Sequence, residues 1–542
     1  MKKTLLSLVS LLLFAVAVTA QDNLSALLPM PARVEAREGT KPFDLARAAV
    51  TVNDFSDNGY LAKELEQVVY SRTGVSLGNN KKCSGSIEIL FSADKEREGY
   101  TIDITRKRVV IEASTAAGVY YAIKTLDQLM LGDSRNSAEG KLAQVRIDDA
   151  PRFAYRGVML DPARHFLPVD DVKFFIDQMA RYKYNVLQLH LTDDQGWRIE
   201  IKSHPKLTGV GAFRAAGGGD NGPDNGYYTQ EQLRGLVAYA AERNVEIIPE
   251  LDIPGHSAAI LAAYPQIGCA FRHGAVNAGN IGQVTNMMLC ACSNEAYAVY
   301  EDIIKEVSEI FPSKRIHLGG DEAAVKDNWA KCDSCLALME RQGYDNPSHL
   351  MIDFFGRMLD IVRRNGKEAV LWCELDNIWP PAHDYLFPYP KDVTLVTWRN
   401  ALTPKCIELT RNSGHKLIMA PGEHTYLDYP QWKNDLPEYN NWGMPITSLE
   451  TSYRLDPGYG LPAEEQSHIM GVMATMWAEA IKDINRVNYM FFPRGLAIAE
   501  AGWSIMEQRG WESFKERLLP NLTNLMELGV SFRVPFEIYR NR

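Results

Sequence analysis

Eight short apolar segments, each followed by an amphipathic or polar stretch, constrain this chain more than any other feature of its sequence. They begin near Arg156 (RGVML), Val186 (VLQLHL), Val245 (VEIIPEL), Arg315 (RIHLGG), Ala369 (AVLWC), Thr394 (TLVTW), Lys416 (KLIMA) and Gly471 (GVMATMW). Helical patterns at 170–182, 229–242, 295–310 and 347–364 lie between them. Short continuous apolar runs alternating with helices mark parallel strands buried on both faces. Eight is the number that closes a TIM (β/α)8 barrel. An open doubly wound sheet shares the alternation but usually carries a Gly-rich phosphate loop after its first strand, and here that position reads Asp161-Pro-Ala-Arg164. The expected fold class is therefore α/β, with the barrel over 151–542.

Ahead of the barrel, strand patterns at 49–52, 86–91, 100–105 and 108–113 and helical patterns at 58–72 and 115–130 predict a small α+β domain over 21–150. The polar, Gly-containing stretch 132–142 reads as a linker. The chain opens on Lys2 and Lys3, an apolar run at 5–18 and a small-residue exit at Val18-Thr19-Ala20. These are the three parts of a secretory signal peptide, so residues 1–20 are expected to be removed and the protein exported, to the periplasm or beyond. The run is shorter than the ~20 residues of a membrane helix, and nothing comparable follows, which predicts no membrane span. A formal charge of −10 without a long basic run argues against nucleic acid as a partner. The sequence sets no oligomeric state.

Export also bears on the eight cysteines, since it permits disulfides. Cys290-x-Cys292 with Cys332-x-x-Cys335 has the donors for a four-thiolate zinc site, but without a zinc-ribbon pattern disulfides or free thiols are favoured. No thioredoxin-like unit surrounds the CxxC to make it a redox pair.

Chemistry concentrates at the strand ends, where a barrel builds its active site. His317-Leu-Gly-Gly-Asp321-Glu322 sets two adjacent carboxylates on a glycine bend. Like charges so close predict that at least one keeps its proton above the usual carboxylate range, and a proton donor beside an ionised neighbour suits glycosidic cleavage. Arg164 and His165 follow the first strand, Asp193, Asp194 and Trp197 the second, Glu250, Asp252 and His256 the third. Trp372 and Glu374 close the fifth, Trp398 the sixth, Tyr426 and Asp428 follow the seventh, and Trp477 with Glu479 the eighth. Any one of these has a structural explanation, as core aromatic, helix cap or satisfied histidine. Three Trp at strand ends together form a box that presents flat faces to the C–H patches of a sugar while carboxylates and Arg take its hydroxyls.

Taken together, RGVMLDPARHF (156–166), LHLTDDQGWR (189–198), PELDIPGH (249–256), HLGGDE (317–322), LWCE (371–374), TW (397–398), YLD (426–428) and MWAE (476–479) resemble the glycoside hydrolase family 20 β-N-acetylhexosaminidases. The small domain also looks like the one that precedes the barrel in that family. The resemblance implies an exo-acting enzyme that removes terminal, non-reducing β-linked GlcNAc or GalNAc by substrate-assisted retention, an exception to the scheme in which an enzyme carboxylate attacks. Glu322 is then the acid and base, and Asp321 orients the 2-acetamido N–H and stabilises the oxazolinium. Tyr426 holds the acetamido carbonyl, and Asp193 and His256 form a relay to Glu322. Arg164, Asp428 and Glu479 are implied to bind hydroxyls, with Trp372, Trp398 and Trp477 walling the pocket. The implied partner is a glycan, and no metal or organic cofactor is required. Two rivals are weaker: a non-catalytic glycan binder, against which the intact acid pair stands, and an endo-chitinase, whose alternating carboxylates are absent from Gly-Gly-Asp-Glu.

Overall fold

The computed structural model describes residues 24–37, 39–52, 59–77, 84–214, 224–272, 287–374, 388–435 and 443–538. The expected leader at 1–20 and Cys83 lie outside the described residues. The chain divides into two compact units, one of residues up to Ala154 with Arg181–Lys183 and Ala499–Arg542, the other of Tyr155–Ala180 and Tyr184–Ile498.

The first unit is built on a six-stranded mixed sheet of β1 (Arg33–Ala36), β2 (Ala48–Val52), β3 (Gly85–Phe91), β4 (Tyr100–Ile104), β5 (Arg108–Ala113) and β6 (Val145–Asp149). Their order is β1-β6-β4-β5-β3-β2. Alternation in β5 buries Val109, Ile111 and Ala113 on one face, and α2 (Ala116–Gly132) packs there, capped by the Thr115 side chain. Beside it runs α1 (Tyr60–Thr73). The stretch expected as a linker is ordered instead. Asp133 caps a short helix at Ser134–Ala138, and Lys141–Leu142 pairs with Phe43–Asp44. In the same unit the buried Asp149 carboxylate accepts from Lys183 Nζ at 3.1 Å and from Trp503 Nε1 at 3.0 Å.

The second unit is a closed, all-parallel barrel of β7 (Tyr155–Leu160), β8 (Val186–His190), β9 (Glu246–Ile253), β10 (Arg315–Gly319), β11 (Glu368–Trp372), β12 (Thr394–Thr397), β13 (Lys416–Met419) and β14 (Ile469–Met476). β14 closes on β7 in parallel register, Met476 opposite Leu160. All eight apolar segments of the sequence are barrel strands. Met159, Val186, Ile248, Val370, Val396, Ile418 and Met473 fill the interior, as branched and long aliphatic side chains do in a barrel core. The helix at Leu350–Arg364 buries Leu350, Met351, Phe354, Phe355 and Met358, the i, i+4 stripe of a helix laid on a sheet. Among the described residues no helix is long and apolar enough to cross a membrane.

Candidate active site

Parallel strands all point their C-terminal ends to one side, so residues far apart in sequence meet there. The bend after β10 is the most constrained. Gly319 and Gly320 have φ of +66° and +101°, and a Cβ at Gly319 would fall 1.7 Å from Asp252 Oδ1. Only glycine fits that close approach. The turn continues through Glu322 at φ +48°, a left-handed conformation that costs a non-glycine residue ~1–2 kcal/mol. His256, after β9, is held likewise at φ +47°. Strain of this kind clusters at working sites.

These turns aim His256 at both carboxylates. Its Nε2 lies 3.6 Å from Glu322 Oε2 and 3.8 Å from Asp321 Oδ2, and its Nδ1 lies 3.2 Å from Asp193 Oδ1. Asp193 stands on a tight hairpin in which Thr192–Asp193 pairs with Gly196–Trp197. Its other oxygen takes Arg164 Nη2 at 2.8 Å and His190 Nε2 at 3.0 Å. The pair Asp193 and Asp194, equivalent in sequence, divides here: Asp194 accepts from the Ala258 N–H at 2.9 Å and anchors the loop. Trp197 is buried and spends its N–H on the Ile199 carbonyl.

Burial and charge set the protons. Burial works against the charged form of His256, but the Asp193 and Asp252 carboxylates and the hydrogen bonds to Asp193 and Glu322 together outweigh it and hold the imidazole well above its ordinary range. Burial would raise Glu322 as well, yet His256 first, with Arg399 and Arg164, outweighs it and holds Glu322 below the usual carboxylate range, its side chain still 38% exposed. Asp321 is raised, by burial first, and then by Glu322 against the opposing pull of His256. Within the acid pair Asp321 is therefore the member held above the usual carboxylate range and Glu322 the one held below it, beside a raised His256.

Trp372, at the end of β11, donates its Nε1–H to Glu250 Oε1 at 2.9 Å, and its ring lies 5.7 Å from that of Trp477. The Tyr426 ring lies tilted at 6.3 Å from that of Trp477, and its backbone is pinned by a bridge to Thr475 of β14. Burial keeps its phenol un-ionised. Arg164 lies over Trp477, its guanidinium 4.9 Å from the ring. Trp398 carries Arg399 over its ring at 3.9 Å, and Arg399 Nη2 reaches Glu374 Oε1 at 2.8 Å. Burial first, against Arg399, pushes Glu374 up to about 7. Asp428 and Glu479 are both raised by burial, Asp428 also by the charge of Glu479.

Several polar atoms here are buried without a protein partner: Asp321 Oδ1, Asp428 Oδ1, Trp398 Nε1 and Arg164 Nε. Such atoms call for a ligand of mixed hydroxyl and amide character. Asp193, Asp194 and His256 also stand close enough to hold a metal ion, but Asp193 is engaged by Arg164 and Asp194 by backbone. The sequence reading passed over His190, which joins Asp193 to Glu250 Oε2 at 3.0 Å. Its signal was present: Gln188 and His190 put polar side chains at every second position of an otherwise apolar strand.

The chain matches the catalytic domain of "Glycosyl hydrolase family 20" over residues 153–506 and that family's "domain 2" over residues 24–150. It is 39% identical to a beta-hexosaminidase of Akkermansia muciniphila, over 78% of this chain and 83% of that one. A solved exo beta-N-acetylglucosaminidase of Vibrio harveyi, in complex with N-acetylglucosamine, aligns at 29% identity and TM-score 0.80, over 94% of this chain and 79% of that one. The beta-N-acetylhexosaminidase of Streptomyces coelicolor aligns at 30% identity and TM-score 0.79, over 94% and 97%.

Proposed function

The chain belongs to glycosyl hydrolase family 20 and is an exo-acting β-N-acetylhexosaminidase, and from that premise we propose how its own residues divide the work. The sugar's 2-acetamido oxygen attacks the anomeric carbon, and the glycosidic bond breaks as Glu322 delivers a proton to the leaving oxygen. The oxazolinium that results is opened by a water that Glu322 then deprotonates. Asp321 receives the acetamido N–H and faces the positive charge, and the un-ionised Tyr426 phenol donates to the acetamido oxygen. Positioning an internal nucleophile is worth ~7–11 kcal/mol in well-oriented systems.

The observation that carries this division is the Asp193–His256–Glu322 line, with 3.2 and 3.6 Å steps. In the free enzyme its proton rests on His256. A sugar entering the pocket displaces water from Glu322, raises its proton affinity and draws that proton across. Arg164, Asp428 and Glu479 take hydroxyls, and Trp372, Trp398 and Trp477 receive the sugar's apolar faces. We assign the same pocket to terminal GalNAc as well as GlcNAc, and the N-terminal leader to export.

The p-nitrophenyl N-acetylglucosaminide and the plain glucoside separate this scheme from one with an enzyme nucleophile. The first should be hydrolysed and the second, lacking the amide, should not. Comparable turnover of both, or a covalent bond trapped between the protein and C1 of the sugar, would exclude it.

A further inference from the structure

Two loops of the barrel bring four cysteines to one point. The loop after β9 carries Cys269 and Cys290, set side by side because Gly268 and Leu289 form an antiparallel bridge and the Cys290 N–H donates to the Ile267 carbonyl at 3.0 Å. The loop after β10 carries Cys332 and Cys335. Cys332 precedes the helix Asp333–Gln342, and Cys335 lies in its first turn. Trp329 Nε1 donates to the Leu289 carbonyl at 2.9 Å and docks one loop on the other.

The four sulfurs all lie within 4.8 Å of one another, and their residues are buried, with exposures of 0, 5, 4 and 0%. Cys290 Sγ and Cys335 Sγ are 3.6 Å apart. A disulfide needs about 2.05 Å, whereas a tetrahedron with ~2.3 Å Zn–S bonds has edges of about 3.8 Å. Thiols have little reason to converge four at a time in an apolar interior unless they share something. We propose that Cys269, Cys290, Cys332 and Cys335 form a structural tetrathiolate site for one zinc(II) ion. On binding, four S–H protons leave to solvent and four Zn–S bonds form, with no change of oxidation state. All four positions of the tetrahedron are taken by protein, which leaves none open for water or substrate.

The fifth cysteine of this region, Cys292, neighbours Cys290 and Cys335 but is not one of the four sulfurs that all lie within 4.8 Å of one another. Cys292 is half-buried and donates to the Ser334 carbonyl at 3.1 Å, so the ligand set differs from the Cys290/Cys292 plus Cys332/Cys335 grouping that sequence spacing offers. The ion would staple the loop leading on from His256 to the loop leading on from Asp321 and Glu322, so its work is to hold both turns.

The test uses the full chain purified without chelator. Elemental analysis should find one zinc per chain, released by p-hydroxymercuribenzoate. Replacement by cobalt(II) should give the thiolate charge-transfer and tetrahedral ligand-field bands of an S4 site. Cys332→Ser should lower bound metal at least tenfold and lower Tm, while Cys292→Ser should keep the metal. Should Cys332→Ser fail to fold, the cobalt spectrum of the unaltered chain and the Cys292→Ser metal content still decide. Three results would overturn the proposal: metal-free protein with these cysteines joined in disulfides by intact mass, metal-free protein whose Tm does not rise with added ZnCl2, or a cobalt form without thiolate absorption. Each is read independently of hydrolysis.

Discussion

In the mechanism we propose, His256 stores what Glu322 must deliver. Against burial, Asp193 and Asp252 raise the imidazole, and His256 with Arg399 and Arg164 lowers Glu322; on that proposal Glu322 stays ionised until a ligand dries the pocket. Glu322→Gln should therefore cost ~10²–10⁴-fold in kcat on natural glycans, with partial recovery on aryl glycosides whose leaving group needs little protonation. Equal losses on both substrates would point to misfolding or to a different acid. Glu374 makes a separate, thermodynamic prediction. Its pKa, pushed up to about 7 by burial, lies above the unfolded value near ~4.3. The folded chain thus binds this proton more tightly, and the associated stability is present in full below pH ~4.3 and lost as pH rises through about 7. Glu374→Gln should flatten the dependence of Tm on pH across that window, and an unchanged slope would show that other groups govern it. At this scale the sequence marked the acid pair and expected one carboxyl raised above the usual range, but that this one is Asp321 was illegible. It depends on a histidine that approaches from another strand.

Strands and turns were legible in proportion to how strongly their pattern departs from solvent. The eight barrel strands are near-continuous apolar runs, and all were readable. β1 (RVEA) is an exposed edge strand, and the two acids closing β6 (VRIDD) mask its alternation, so neither announced itself. The segment 132–142 misled because a capped one-turn helix and a two-residue strand look polar, as a linker does. The bend after β10 yields a sharp test. Gly319→Ala places a methyl group on the Asp252 carboxylate, in a backbone conformation that disfavours any side chain, and should cost at least ~1–3 kcal/mol. Urea unfolding would measure it. A neutral result would mean that Asp252 has room to swing away.

For the molecule as a whole, stability rests on apolar cores with a few charges sealed inside. In the N-terminal unit Lys183, fully buried with its partner Asp149, is the clearest of these. Removing one member of such a pair strands the other, so Lys183→Met should destabilise by ~3–5 kcal/mol and lower Tm. Lys183→Met combined with Asp149→Asn should recover part of the loss, and no recovery would mean that the pair is not coupled. The sequence by itself determined the order of the βα units, the small α+β unit ahead of them and the positions of the acids and tryptophans, because periodicity and adjacency are properties of neighbouring residues. Only the tertiary structure decided which groups meet. Asp193 and His256 are 63 residues apart, and Glu250 and Trp372 are 122 apart. It also put Cys269, and not Cys292, among the four sulfurs. Charge, proton affinity and metal geometry act through space and depend on distance and on the exclusion of water, and barrel closure sets both.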